Sequence, residues 1–295
     1  MGENKTGWGS FENLPTNRTL VMGILNVTPD SFSDGGQHLA VRDAVNHALT
    51  MMAEGADIID VGGESTRPGA VRVSIEEEQR RILPVIRELA KYGAVMSVDT
   101  LNPETARAAV EAGAHIINDV SGMNLRDDMI ATVAELQVPY ILMHARGDSH
   151  TMDSLAHYAG TVAEVTAELS ELRDCVVAGG MEPEKIIVDP GLGFAKQGDQ
   201  DWELIAGLAE LQALGHRVLI AGSRKRFIAQ LLSAEDAVRT GGLASVRPAV
   251  ERDAATAAVS TISALGGAWA VRVHDVRDSA DAIAVVEKLR SLGGR

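Results

Sequence analysis

The chain has 295 residues, 45% of them hydrophobic and only 3% aromatic, so one large aliphatic core is expected. A net charge of −14 argues against a nucleic-acid partner, because phosphate binding needs a basic face. The lone cysteine, Cys175, excludes an internal disulfide and a Cys-based metal site. No apolar stretch reaches the length of a membrane helix, and residues 1–17 are polar without a signal-peptide core. A cytoplasmic protein with no membrane contact is the expectation.

Residues 1–17 read as a flexible N-terminal extension, and 18–295 as one domain. Eight short apolar runs follow, each halting at a polar side chain. They end at Asn26, Asp60, Asp99, Asn118–Asp119, His144, Asp189, Gly222–Ser223 and His274. A buried parallel strand reads as such a continuous apolar run. Helical patterns between the runs are expected at about 40–54, 74–91, 103–112, 126–136, 154–178, 200–214, 251–265 and 277–291. Ser74 with Glu77 forms a capping box, and Pro103 suits a first helical turn. Residues 27–36 and 62–70 are Gly- and Pro-containing loops. Residues 226–232 lead into 233–250, which reads as an insertion or a poorly ordered loop. Eight strand-then-helix units predict a (β/α)8 TIM barrel, whose chemistry sits at the C-terminal ends of the strands. The polar stops then converge on one mouth.

Asp99, Asn118 and Asp189 supply carboxylates and an amide, a set suited to a planar heterocycle rich in nitrogen. The alternative for any one Asp is a helix cap. Arg272 and His274, two apart on a strand, share a face, and Arg forks onto phosphate oxygens. Arg67 lies beside Ser65 and Thr66 in a second candidate anion site. The triplet Arg224-Lys225-Arg226 can bind a phosphate, a carboxylate or a carbonyl, and Lys225 can also serve as a Schiff-base amine. Asn26 offers a hard oxygen, a ligand type that Mg²⁺ accepts alongside substrate phosphates. P-loop, HExxH, GxSxG and EF-hand signatures are absent.

Segments 23–36 (GILNVTPDSFSDGG) and 60–69 (DVGGESTRPG) resemble the first two signatures of dihydropteroate synthases. SVDT at 97–100, INDVSG at 117–122, LMH at 142–144, DPGLGF at 189–194, GSRKRF at 222–227 and RVH at 272–274 continue in family order. The resemblance implies a transferase that joins 6-hydroxymethyl-7,8-dihydropterin pyrophosphate to p-aminobenzoate, giving dihydropteroate and pyrophosphate. It implies that Asp99, Asn118, Asp189 and Lys225 hold the pterin, with Asp99, Lys225 and Asp189 catalytic. Thr66, Arg67, Arg272 and His274 would hold the pyrophosphate, with Mg²⁺ at Asn26. Thr66, Pro68, Phe194 and Lys225 would lie near p-aminobenzoate, and the loops 27–36 and 62–70 would close over both substrates. Sulfonamide inhibition and a homodimer are further implications. Arg226 departs from the family pattern, which often has a small Ser there. Two other readings compete: a pterin-dependent corrinoid methyltransferase, disfavoured by the pyrophosphate-type residues, and a non-catalytic pterin-binding paralogue.

Overall fold

The computed structural model describes residues 8–28, 37–64, 73–148, 150–242 and 245–293. Eight parallel strands close into a barrel in simple sequence order. They are β1 (Leu20–Asn26), β2 (Ile58–Gly62), β3 (Met96–Asp99), β4 (Ile116–Asp119), β5 (Tyr140–Met143), β6 (Ile186–Asp189), β7 (Arg217–Ile220) and β8 (Ala270–Val273). β1 pairs with both β2 and β8, which completes the ring. The (β/α)8 expectation holds, as does the placing of the polar stops at one end.

Around the barrel run α1 (Gln37–Ala53), α2 (Ile75–Ala90), α3 (Pro103–Ala112), α4 (Asp127–Leu136), α5 (Thr161–Ala178), α6 (Gln200–Ala206), α7 (Leu208–Gln212), α8 (Arg226–Thr240), α9 (Asp253–Leu265) and α10 (Val276–Ser291). The Ser74 hydroxyl accepts from the Glu77 amide, as the capping pattern predicts. The helix expected at 154–178 starts only at Thr161, where the Glu164 carboxylate accepts from the Ala159 and Gly160 amides and ends the preceding loop. The helix expected at 200–214 breaks at Gly207. A Cβ there would lie 2.8 Å from both Val162 methyls, so α5 packs directly on the backbone at the break.

The reading of 233–250 as a loop is wrong for its first half. Residues 233–240 continue α8, which ends at Gly241 with φ +68°. The segment carries Ala, Glu and Val among its residues and no Gly or Pro, so nothing in it stops a helix already begun at Arg226.

Two apolar layers make the core. Alternate residues of the strands point inward, and Leu20, Met22, Ile58, Val95, Ile116, Ile141, Ile187, Leu219 and Ala270 fill the lower barrel. Their neighbours face the helices in a second, larger cluster. One period further along, the inward position turns polar on five of the eight strands, as Asp60, Ser97, Asn118, Asp189 and Arg272, and stays apolar as Ile24 and Met143 on β1 and β5 and as Ala221 just past β7. The floor is closed by part of the expected N-terminal extension together with Arg18, the first residue of the expected domain. Leu14 joins the interior cluster, Phe11 lies against Trp269, and Arg18 forks onto Asp57 with two 2.7 Å bonds.

Glu78 shows how the helices hold the mouth in place. Its buried carboxylate accepts from the Thr100 hydroxyl (2.8 Å), the Asn102 amide (2.8 Å) and the Thr105 hydroxyl (2.7 Å). All three donors sit just past Asp99, so α2 braces the turn that carries it. Glu78→Ala is expected to strand these donors and cost about 3 kcal/mol. A lower urea midpoint at unchanged m-value would register that loss.

Candidate active site

The C-terminal ends of the strands bring the polar inward residues together. Arg272, inside β8, spans two carboxylates. Its Nε donates to Asp60 Oδ2 at 2.6 Å and its Nη2 to Asp99 Oδ2 at 2.8 Å. The Asn118 side-chain amide donates to the same Asp60 oxygen at 3.2 Å. Two carboxylates therefore share one guanidinium. Burial pushes the Asp99 carboxyl up to about 7, because the nearby Asp60 charge and desolvation together outweigh Arg272. Among the described residues Asp60 Oδ1 is buried without a hydrogen-bond partner.

Asp189, at the end of β6, accepts from the Gly191 amide at 2.7 Å. Gly191 has φ +67°, and a Cβ there would lie 1.8 Å from the His144 carbonyl oxygen, so only glycine passes. Burial pushes the Asp189 carboxyl up, opposed by the Lys225 charge. Lys225, at the start of α8, donates to the Leu192 carbonyl and places its ammonium 4.8 Å from the Phe194 ring centre. Burial pushes that ammonium down to about 8, with Asp189 opposing.

The three consecutive cations point three ways. Arg224, in a left-handed conformation at φ +60°, forks onto Asp253 of α9 with two 2.7 Å bonds. Arg226 forks onto Asp153, in the turn after β5, at 2.9 and 2.7 Å. Only Lys225 faces the mouth, so the triplet is not one anion cradle. Its neighbours are structural ties, and Arg226 spans α8 and the β5–α5 connection.

His274 lies one residue past β8. Its amide donates to the Ser223 hydroxyl at 3.1 Å, and its Nδ1 lies 3.0 Å from the same oxygen. It therefore stands on the rim between β7 and β8, while Arg272 lies deeper. Asn26 ends β1. A Cβ built on Gly62 would sit 3.9 Å from both Asn26 Oδ1 and Asp99 Oδ2, so both oxygens lie close to the bare glycine, the Asp99 oxygen already accepting from Arg272. Among the described residues no three His, Cys, Asp or Glu side chains converge as a metal cage. The Asn26 side-chain oxygen is of the hard type that Mg²⁺ accepts as one of its one or two protein ligands, the rest coming from phosphates and water.

Thr66, Arg67 and Pro68, with Ser65, lie outside the described residues, as does most of the loop 27–36. Asn26, Asp99, Asn118, Asp189, Phe194, Lys225, Arg272 and His274 all reach the mouth. Asp60 is the residue that sequence patterning undervalues. It was legible only as one more polar stop, and its bonds to Arg272 and Asn118 emerge from barrel closure. A cavity of about 1020 Å³ opens at the opposite end, lined by Phe11, His115, His216, Arg217 and Trp269. None of the clustered carboxylates reaches it, so volume alone does not mark the chemistry.

A parallel barrel whose mouth joins buried carboxylates, an amide, a lysine and an arginine defines an enzyme site for a polar heterocycle with an anionic group. The profile of the family described as pterin-binding enzymes matches residues 22–274. The dihydropteroate synthase of Mycobacterium leprae (strain TN) is 50% identical over 267 residues, 90% of this chain and 92% of that protein. A solved Xanthomonas albilineans dihydropteroate synthase with 4-aminobenzoic acid aligns with a TM-score of 0.82 at 43% identity, covering 93% of this chain and 94% of that one. A Yersinia pestis dihydropteroate synthase with a sulfonamide drug aligns with a TM-score of 0.84 at 37% identity, covering 94% and 96%. The chain belongs to the pterin-binding enzyme family, among its dihydropteroate synthases.

Proposed function

We propose that this chain condenses 6-hydroxymethyl-7,8-dihydropterin pyrophosphate with p-aminobenzoate to give 7,8-dihydropteroate and pyrophosphate. The observation that carries the reading is the shared Arg272 bridge between Asp60 and Asp99, with Asn118 on the same carboxylate. A pterin edge presents adjacent N–H donors, and carboxylates with an amide are its complement. In the reaction the bond from the methylene carbon to the pyrophosphate oxygen breaks, the aromatic amine nitrogen bonds to that carbon, and the nitrogen loses a proton. Positive charge grows on the pterin as pyrophosphate leaves. Asp99 and Asp189 favour that charge from fixed positions, with no reorganisation needed at the moment of reaction. No activated serine or cysteine is required, because the amine attacks as it stands.

Arg272 and His274, with Arg67 and Thr66, serve the leaving pyrophosphate in this reading. Asn26 would hold Mg²⁺, which when bound neutralises the charge growing on pyrophosphate. Phe194 and Lys225, with Thr66 and Pro68, flank p-aminobenzoate, and sulfonamides compete there. A homodimer formed through α9 and α10 is part of the same reading, supported by the exposed apolar side chains Ile262, Leu265, Val285 and Leu289. No helix among the described residues is long and apolar enough to cross a membrane, and a cytoplasmic location suits the free, exposed Cys175 thiol.

Pyrophosphate release from pterin pyrophosphate is expected to require both p-aminobenzoate and Mg²⁺, and to stop on chelation with EDTA. Release that ignores p-aminobenzoate would overturn the transferase reading. Binding of pterin pyrophosphate without any release would replace it with a non-catalytic binder.

A further inference from the structure

A second cluster of buried ionisable groups lies behind the loop that joins β6 to α6. Lys196 is almost wholly buried, and its Nζ donates to the Phe194 carbonyl at 2.8 Å and to His144 Nδ1 at 3.0 Å. His144, fully buried at the end of β5, places Nε2 2.8 Å from Glu168 Oε2 on α5. With Nδ1 accepting from Lys196, the imidazole proton belongs on Nε2, where it donates to Glu168. Glu168 is also clasped by Arg146 through Nε, at 3.1 and 3.0 Å from its two oxygens, and through Nη2.

A second arm starts from the same arginine. The Arg146 guanidinium stacks 4.0 Å from the centre of the Tyr158 ring, and the Tyr158 hydroxyl donates to the Ala195 carbonyl at 3.0 Å. The consecutive carbonyls of Phe194 and Ala195 are thus held from below by an amine and a phenol. Asp201 adds a third tie, accepting from the Gly193 amide at 2.6 Å. Ala195 itself is left-handed at φ +50°, a conformation a non-glycine residue keeps only where its surroundings impose it. Burying a lysine amine for two hydrogen bonds is costly, and a surface loop needs no such anchor. Of the side chains in this short loop, it is the Phe194 ring that meets the Lys225 ammonium.

We propose that Lys196, backed by His144 and Glu168, is a positioning residue for p-aminobenzoate, fixing the main chain at Phe194 and so the ring of Phe194 against Lys225. The inference rests on the reading that Phe194 and Lys225 flank that substrate. It places the cluster with the second substrate and not with the pterin, since none of its hydrogen bonds goes to Asp60, Asp99 or Asn118.

The electrostatics agree. Burial pushes the Lys196 ammonium down to about 7, opposed by Asp201 and Asp189 and reinforced by Lys225 and Arg146. Burial, then the Lys196 charge, pushes the His144 imidazole down to about 4, keeping it neutral. Burial works against the Glu168 carboxylate, yet hydrogen bonds from His144 and Arg146 hold it down to about 2. A neutral Lys196 amine has two hydrogens for its two acceptors, so its titration leaves both bonds intact and changes only the charge beside Lys225.

The test is steady-state kinetics of Lys196→Met over a range of pH. KM for p-aminobenzoate is expected to rise about tenfold, while KM for pterin pyrophosphate stays within about twofold. A wild-type inflection near pH 7 in KM for p-aminobenzoate that the variant lacks would report the Lys196 charge beside Lys225, separately from its two positioning bonds. Equal rises in both KM values, or no change in either, would overturn the proposal. Should Lys196→Met fail to fold, Glu168→Gln decides, with the same selective rise at smaller size. Phe194→Ala separates the two layers of inference. If it raises KM for p-aminobenzoate and Lys196→Met does not, the positioning role fails while the substrate site stands. If Phe194→Ala leaves KM unchanged, the substrate site itself is misassigned.

Discussion

Arg272→Leu is expected to abolish nearly all activity and to destabilise the fold at neutral pH. Its guanidinium is the counter-charge for Asp60 and Asp99, which lie 2.6 and 2.8 Å from it inside the barrel. Removing one partner of a buried ionic set leaves uncompensated charge and costs about 3–5 kcal/mol. That is a large share of the roughly 5–15 kcal/mol by which a protein is stable. The pH dependence identifies the cause. Asp99 already sits above the usual carboxylate range, and losing Arg272 raises it further. A carboxyl raised in the folded state destabilises when ionised, so the penalty is largest at pH 8 and shrinks as acid protonates Asp99. Urea melts of both proteins at pH 8 and pH 5.5 would show the gap narrowing on the acid side. A gap that widens in acid would sink the shared-counter-charge account. Activity measured where the variant is folded should fall about 10³-fold, since the arginine both orients the pterin-facing carboxylates and serves the leaving group.

Lys225→Met is expected to lower kcat/KM by about 10²–10³-fold with a far smaller effect on stability. The ammonium faces the mouth beside Asp189 and the Phe194 ring, and no other cation of the 224–226 triplet can replace it. Burial has lowered this amine to about 8. The protonated form, which supplies the charge and the donors, is therefore lost as pH rises through 8. Wild-type kcat/KM should fall above about pH 8, roughly tenfold per unit for a single essential proton. The variant should show no such alkaline limb. An alkaline limb that persists in Lys225→Met would assign the titration to another group and remove Lys225 from the mechanism.

Much of the site was visible along the chain because each inward strand end carries its own chemical label. Asp99, Asn118 and Asp189 stand where apolar runs stop, Arg272 lies two residues before such a stop at His274, and barrel geometry needs only period two to aim them at one another. Residues 224–226 were not legible in the same way. Three adjacent cations look alike in sequence, yet a left-handed Arg224 turns one toward Asp253 and the start of α8 turns another toward Asp153. Lys196 is harder still. Nothing in its neighbourhood marks it as buried, because its partner His144, and the Glu168 behind that histidine, come from a different strand–helix unit, β5–α5.

The alternation of apolar runs with helical stretches was enough to determine the fold class, the order of the strands and the end of the barrel that carries the chemistry. Those properties follow from local periodicity, which each segment expresses independently. Only the closed barrel decided which carboxylates share Arg272, which cation faces the mouth, and how a buried lysine reaches Phe194. Those are contacts between residues up to 212 positions apart, and their energies arise from burial and shared charge, which no single segment contains.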